Sequence, residues 1–229
     1  MGAMTGSARA LLDSIHRELA PREGENRLVP LVRDGAAPRS VLAALAAEES
    51  RIVPCDWRSF LTLSARAADR PTREFFAGLA AGEGAALGAL PKLSAALGWS
   101  EQDVADYRPK AGCQAYPAYM SWLALHAEPG DAAVAIVSNF AAFGAYCAEV
   151  AQALRSRYGL SDADCEFFDL FGTPVPGADE QAEAAVQAEL DAGRITESRA
   201  REHARLFQDY ELMFWNTLPD ELRTAPPNE

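Results

Sequence analysis

Apolar residues recur every three or four positions along almost the whole chain, which is the spacing that places them on one face of a helix. In residues 6–20, for example, Leu11, Ile15 and Leu19 fall on a single stripe. No segment shows the strict alternation of apolar and polar residues that is typical of a half-buried strand. The pattern therefore predicts an all-α protein with more than roughly 60% helix, twice the ordinary share.

Prolines and glycines divide this pattern into separate helices. Pro38 stands at a favoured first-turn position, and Pro54 is expected to end that helix, with a further one beginning at Asp56. Asp131 is expected to cap the most hydrophobic helix, and Pro219 to end the last one. The other helices are expected over residues 71–97, 116–126, 161–171 and 178–191. The whole is a compact bundle of about seven to eight helices.

No internal repeat or low-complexity linker interrupts the chain, which favours one domain. We expect a single helical domain over residues 6–217. Residues 1–5 are interpreted as a tag remnant and the native start. Residues 218–229 are expected to form a C-terminal tail that is disordered from Thr224 onward.

The charge balance narrows the classes of partner. The chain carries 33 Asp and Glu against 21 Lys and Arg, a formal net charge of −12. Proteins that bind nucleic acids gain most of their affinity from basic side chains on phosphates, and anionic membranes attract basic surfaces in the same way. We therefore expect neither a nucleic acid nor a membrane as a partner.

Three further features indicate a cytoplasmic protein. The apolar stretch over residues 132–148 is interrupted by Ser138, Asn139 and Gly144, so it is expected to fall short of a membrane-spanning helix. Charged residues among the first twenty do not fit a signal peptide. The four cysteines are far apart and form no CxxC pair, which favours reduced thiols and makes a zinc site improbable.

Polar residues on apolar helix faces are the candidates for a ligand pocket between helices. In the last helix, Phe207, Glu211 and Trp215 share one face. Glu211 is therefore either an acid or base whose pKa is raised by desolvation, or an edge residue that reaches solvent. Ser138 and Asn139 interrupt the most hydrophobic helix, where they need partners from another helix, a water or a ligand.

Two further pairs lie on helices that face the core. Glu48 and Glu49 follow the apolar stripe of the second helix, and one is expected to point inward and the other outward; the sequence favours neither assignment. Tyr116 and Tyr119 belong to an aromatic series at helical spacing. Such a series is either core packing or, because buried hydroxyls need partners, a source of ligand contacts.

The order of these motifs resembles that of the TenA (thiaminase II) family, within the haem-oxygenase-like all-α fold that also includes the PqqC and CADD proteins. The ending with Glu211, Phe214 and Trp215 is similar to the E-x-x-F-W ending of that family. The segment from Tyr116 to Tyr119 is similar to its AY-x-x-Y segment. The resemblance implies a haem-oxygenase-like bundle that assembles as a homodimer or homotetramer.

The resemblance also exposes departures from the family pattern. Glu49 stands where the family has the aspartate that contacts an aminopyrimidine. Asn139 stands where the family has its cysteine nucleophile, and an amide cannot form the covalent intermediate. Di-iron relatives need a histidine on a central helix and another on the last one, whereas this chain has Ala86 and Trp215 there. We therefore expect no metal, no other cofactor and no thiamin cleavage through a cysteine.

The leading hypothesis is a TenA-like enzyme that acts on a small heteroaromatic or amine-containing metabolite, with Glu211 as the catalytic acid or base. The residues expected to bind the substrate are Glu49, Tyr116, Tyr119, Ser138, Asn139, Phe207 and Trp215. An alternative is a non-catalytic small-molecule-binding or regulatory protein that kept the pocket. A third hypothesis is a di-iron or cofactor-free oxidase of the same superfamily.

Overall fold

The computed structural model describes residues 7–224, with side chains to residue 220. Within that range 79% of the residues are helical and none lies in a strand, which confirms the all-α prediction. The described range contains ten helices, two or three more than expected: α1 (Ala8–Glu18), α2 (Leu28–Arg33), α3 (Arg39–Arg66), α4 (Arg70–Ala96), α5 (Glu101–Asp106), α6 (Ala111–His126), α7 (Pro129–Tyr158), α8 (Glu166–Gly172), α9 (Ala178–Asp191) and α10 (Glu197–Thr224).

Five long helices build the body of the bundle. α3 packs against α4 and α6, and α10 packs against α6 and α7. The buried apolar side chains form two clusters, one containing Phe167 and Trp215 and the other containing Phe76 and Met120. Tyr116 of α6 packs against both clusters, so it marks the level at which they meet.

The predicted break at Pro54 is wrong, because α3 runs without interruption from Arg39 to Arg66. A proline inside a helix removes one backbone hydrogen bond and costs about 3 kcal/mol. Ile52 and Val53 before the proline and Phe60 after it are all buried in the core. We attribute the continuity of α3 to this packing on both sides of the proline, which outweighs the local cost.

Two other predicted boundaries also differ from the structure. α10 continues through Pro219 to Thr224, so the tail expected over residues 218–229 is helical in its first part. The N-cap of α7 is Glu128 rather than Asp131. The Asp131 carboxylate instead accepts a hydrogen bond of 2.8 Å from the backbone N–H of Thr196, just before α10. The proposed tag remnant at 1–5 and the end of the tail at 225–229 lie outside the described residues.

In the described part of the chain, α7 is the one helix whose length and apolar composition would allow it to cross a membrane. The interruptions by Ser138, Asn139 and Gly144 therefore do not shorten it below a spanning length. Half of its most apolar window is buried inside the protein, as is typical of a core helix.

Candidate functional site

A cavity of about 40 Å³ lies among six helices, close to Tyr116. Roughly three water-sized groups fit in that volume. Its lining consists of four carboxylates, four aromatic side chains and two aliphatic ones, and none of these ten residues is basic. The lining residues are Glu49, Ile52, Val53 and Asp56 of α3, Glu83 of α4, Tyr116 of α6, Phe143 of α7, Phe171 of α8, and Glu211 and Phe214 of α10.

Glu211 is held on one side only. It is 2% exposed, and its Oε1 accepts a hydrogen bond of 2.9 Å from Nε1 of Trp215, one turn further along α10. Burial raises the pKa of Glu211 to about 7, although the bond from Trp215 and the Asn139 side chain lower it. Oε2 is buried and has no hydrogen-bond partner among the described residues, so its capacity to accept a hydrogen bond is unused.

Asp56 is the second carboxylate with a free oxygen. It is 5% exposed, and burial raises its pKa to about 8, against a hydrogen bond with Tyr116 that lowers it. Its Oδ1 has no partner in the described part of the protein. Asp56 was not among the predicted site residues, because the predicted break at Pro54 separated it from Glu49. The signal was nevertheless present, since the two residues are seven positions apart and share a face of one continuous helix.

The other two carboxylates add negative charge to the same cavity. Burial, followed by the charges of Asp56 and Glu49, raises the pKa of Glu83 well above its ordinary value. Burial, followed by the charges of Asp56, Glu48 and Glu211, does the same for the pKa of Glu49. Glu83, three residues before Ala86 on α4, was not predicted as a residue of the pocket. Simultaneous ionisation of all four carboxyl groups is therefore unfavourable.

The expectation that one of Glu48 and Glu49 points outward is wrong, because both are buried. Glu49 lines the cavity. Glu48 points to the start of α6, where its carboxylate accepts hydrogen bonds from Oη of Tyr107, the backbone N–H of Lys110 and Nε2 of Gln114 at 2.6–2.8 Å. The two adjacent glutamates thus lie in different parts of the bundle, Glu49 at the cavity and Glu48 at the start of α6.

Five of the predicted binding residues lie outside the lining of the cavity: Tyr119, Ser138, Asn139, Phe207 and Trp215. Oη of Tyr119 is 3.0 Å from Nδ1 of His203. Oγ of Ser138 donates to the carbonyl of Val134 in its own helix at 2.7 Å. The ring of Phe207 packs against Tyr116 with 5.1 Å between centroids, so Phe207 supports the wall rather than forming it. Tyr116 itself lines the cavity.

A buried thiol lies behind the cavity. Cys147 of α7 is fully buried, and burial raises its pKa well above the ordinary value, as do the charges of Glu49 and Glu211. These surroundings favour an inert thiol over a nucleophilic thiolate. Within the described residues, no group of three or more His, Cys, Asp or Glu side chains is arranged to hold a metal ion.

Solved structures share this architecture. A TenA homologue from Pseudomonas syringae superposes with a TM-score of 0.73 at 12% identity, covering 96% of this chain and 98% of its own. A domain with a heme oxygenase-like fold from Shewanella denitrificans gives 0.69 at 17% identity, covering 94% and 90%. A TenA homologue from Pyrococcus furiosus gives 0.64 at 17% identity, covering 92% and 98%. At these identities the likeness establishes the haem-oxygenase-like fold.

The sequence comparison is more specific about the family. The chain matches none of the curated proteins. The model of the TENA/THI-4/PQQC family, however, matches residues 27–220, which is most of the chain and includes every residue of the cavity. The protein therefore belongs to the TENA/THI-4/PQQC family.

Proposed function

We propose that this protein is a TenA-like enzyme that binds a small heteroaromatic or amine-containing metabolite in the carboxylate cavity and acts on it by acid–base catalysis. The observation that carries the proposal is the state of Glu211. Glu211 lines the cavity; one of its oxygens accepts a hydrogen bond from Trp215, while the other is buried without a partner among the described residues. Membership of the TENA/THI-4/PQQC family supports a TenA-like function in general.

Glu211 suits a role in proton transfer. A pKa of about 7 means that the group is close to half-protonated near neutral pH, so it can both accept and release a proton. The hydrogen bond from Trp215 holds Oε1 in place, which would leave Oε2 to exchange a proton with the ligand. Asp56 and Glu49 would accept hydrogen bonds from amino groups of the substrate, and Tyr116 would orient Asp56. This chemistry requires neither a cysteine nucleophile nor a metal.

Substitution of Glu211 by glutamine tests the catalytic role. Glu211→Gln keeps the shape and the bond from Trp215 but cannot exchange a proton, so turnover should fall about 100-fold or more. Turnover would be measured by mass spectrometry on a panel of aminopyrimidines and small amines. Affinity for 4-amino-5-hydroxymethyl-2-methylpyrimidine, measured by calorimetry, should fall far less.

The control is Glu202→Gln, which changes an exposed glutamate on the same helix and should leave turnover unchanged. If neither the unmodified protein nor the variant turns over any compound and only affinity changes, the protein is a binding or regulatory module of the same fold. Equal turnover in Glu211→Gln and the unmodified protein would refute the role of Glu211.

We also infer that the protein works in the cytoplasm as a homodimer or homotetramer, without a nucleic-acid or membrane partner. The acidic net charge of −12 and the four free cysteines support this setting. Light scattering of the purified protein would measure its mass in solution.

A further inference from the structure

The charge balance of the cavity points to the chemical class of its ligand, and this inference rests on the proposed binding function. Four carboxylates border the cavity, each at most 8% exposed, and none of the ten lining residues carries a positive charge. A buried carboxylate without a counter-ion is costly when ionised. The described residues that line the cavity therefore supply acids but no base to balance them.

The titratable groups that face the cavity from each packed helix are all acidic. α3 contributes Glu49 and Asp56, α4 contributes Glu83, and α10 contributes Glu211. Tyr116 of α6 lies in the lining. On α7, the charge of Glu211 contributes to raising the pKa values of Tyr146 and Cys147. α8 contributes an uncharged phenylalanine. Among the described residues, none of the groups facing the cavity supplies a positive charge, so ionisation of these carboxyl groups would be favoured by a positively charged ligand.

Two oxygens of the lining carboxylates have acceptor capacity that the described residues leave unused. Oδ1 of Asp56 and Oε2 of Glu211 are buried and have no hydrogen-bond partner among the described residues. Unpaired buried acceptors cost free energy, which a ligand with several N–H donors would recover. The remaining walls include Tyr116, Phe143 and Phe214, and aromatic rings are the surfaces on which proteins bind ammonium groups.

We propose that the cavity selects a small primary ammonium cation over a neutral heteroaromatic ring, with the ammonium group donating hydrogen bonds to Asp56 and Glu211. A primary ammonium offers three donors and the missing positive charge. The cavity of about 40 Å³ accommodates roughly three water-sized groups, so the buried part of the ligand has about three or four non-hydrogen atoms.

Binding of such a cation releases protons from the protein. The pKa of Asp56 is about 8 and that of Glu211 about 7, so near neutral pH the first is mostly protonated and the second partly so. An ammonium group stays charged through pH 8 and favours the ionised carboxylates. The displaced protons pass to the buffer, and affinity rises with pH because fewer protons need to be displaced.

Calorimetry with n-propylammonium tests this inference, with 1-propanol as a neutral probe of the same size. At pH 7, titrations in two buffers of different ionisation enthalpy should show about one proton released per cation bound. Affinity should be about tenfold or more higher at pH 8 than at pH 6, as ionisation of the two groups requires. 1-Propanol should show no comparable binding.

Two matched substitutions on α3 distinguish a carboxylate that lines the cavity from one that points away from it. Asp56→Asn should weaken propylammonium binding about tenfold or more and reduce the proton release. Glu48→Gln alters an equally buried carboxylate that points away from the cavity, so binding should be retained. If Asp56→Asn fails to fold, the proton release and pH dependence of the unmodified protein still decide the question.

The results that would overturn the cation proposal differ from those that would overturn the proposed function. Binding of neutral 4-aminopyrimidine at pH 7 without proton release, together with no binding of propylammonium, would overturn the cation inference and leave the heteroaromatic function standing. Binding of Mn²⁺ that Asp56→Asn abolishes, in preference to propylammonium, would also overturn it. Absence of binding by all three probes would contradict both.

Discussion

At the scale of single residues, Glu48 and Glu49 illustrate how one position along a helix changes the chemistry of a side chain. The Glu48 carboxylate accepts hydrogen bonds from Tyr107, Lys110 and Gln114, so both of its oxygens have hydrogen-bond partners. Glu49 faces a cavity in which burial and neighbouring charges raise its pKa. The first glutamate stabilises the packing of α3 against the start of α6, while the second is maintained at a cost in stability.

The two amide substitutions should therefore have different effects. Glu48→Gln turns an acceptor that receives three donors into an amide with a donor of its own, which should cost about 1–3 kcal/mol of unfolding free energy. Glu49→Gln removes a group whose ionisation is disfavoured, so stability at pH 8 should stay the same or increase. Urea unfolding at pH 8 measures both. Equal losses in the two variants would contradict this assignment.

At the scale of elements, the contact between α7 and α8 sets one wall of the cavity. Phe171 of α8 and Phe143 of α7 meet edge to face, with 5.3 Å between ring centroids. The next residue, Gly172, lies against the α7 backbone, and a Cβ atom there would be 2.8 Å from the nitrogen of Ala148. The two helices approach this closely because position 172 has no side chain.

Gly172→Ala should force the two helices apart. Because the clash is with backbone rather than with a flexible side chain, we expect a loss of about 1–3 kcal/mol in unfolding free energy. The displacement of Phe171 should also weaken ligand binding. The matched control is Gly88→Ala in α4, where a Cβ meets nothing within 4 Å.

Gly88→Ala should stabilise the protein by about 0.5–1 kcal/mol, since alanine favours a helix interior over glycine. Both variants can be compared by urea unfolding and by calorimetry with the same ligand. Indistinguishable stabilities would show that α7 and α8 adjust without strain.

At the scale of the whole molecule, the cavity links ligand binding to the pH dependence of folding. Carboxylates from three helices, α3, α4 and α10, meet in one place and share one direction of pKa shift. Since their pKa values are raised in the folded state, the folded protein retains protons that the unfolded chain loses above about pH 4. Stability contributed by these groups is therefore present at low pH and is lost as pH rises.

We expect the unfolding free energy to decrease between pH 5 and pH 8, by up to about 1.4 kcal/mol per pH unit for each group that remains protonated only in the folded state. The decrease should level off as pH passes the pKa values of about 7 for Glu211 and about 8 for Asp56. The double variant Asp56→Asn, Glu211→Gln should have a flatter profile and greater stability at pH 8. Urea unfolding across this range measures it.

Glu202→Gln, on the exposed face of α10, should keep the slope of the unmodified protein. A stability that increases from pH 5 to pH 8, or a slope that the double variant leaves unchanged, would contradict the burial of ionisable groups as its cause.

The sequence by itself determined the helical class and the apolar face of α10. Helical periodicity is a local property, because residues three and four positions apart share a face whatever the helix packs against. The aromatic residues around Glu211 left two alternatives, a desolvated carboxyl group or an edge residue that reaches solvent, and its exposure of 2% decides for the first. The order of short motifs was enough to predict the family that the comparison of residues 27–220 establishes.

Only the tertiary structure decided which carboxylates meet. Asp56 lies in the site because α3 continues through Pro54, and Glu83 lies there because α4 packs against α3. Tyr119 and Ser138 instead hydrogen-bond with His203 and the Val134 carbonyl, although their spacing along the helices was equally compatible with a pocket. The physical reason is that periodicity assigns a residue to a helix face, whereas the angles and offsets at which helices pack determine which faces share a cavity.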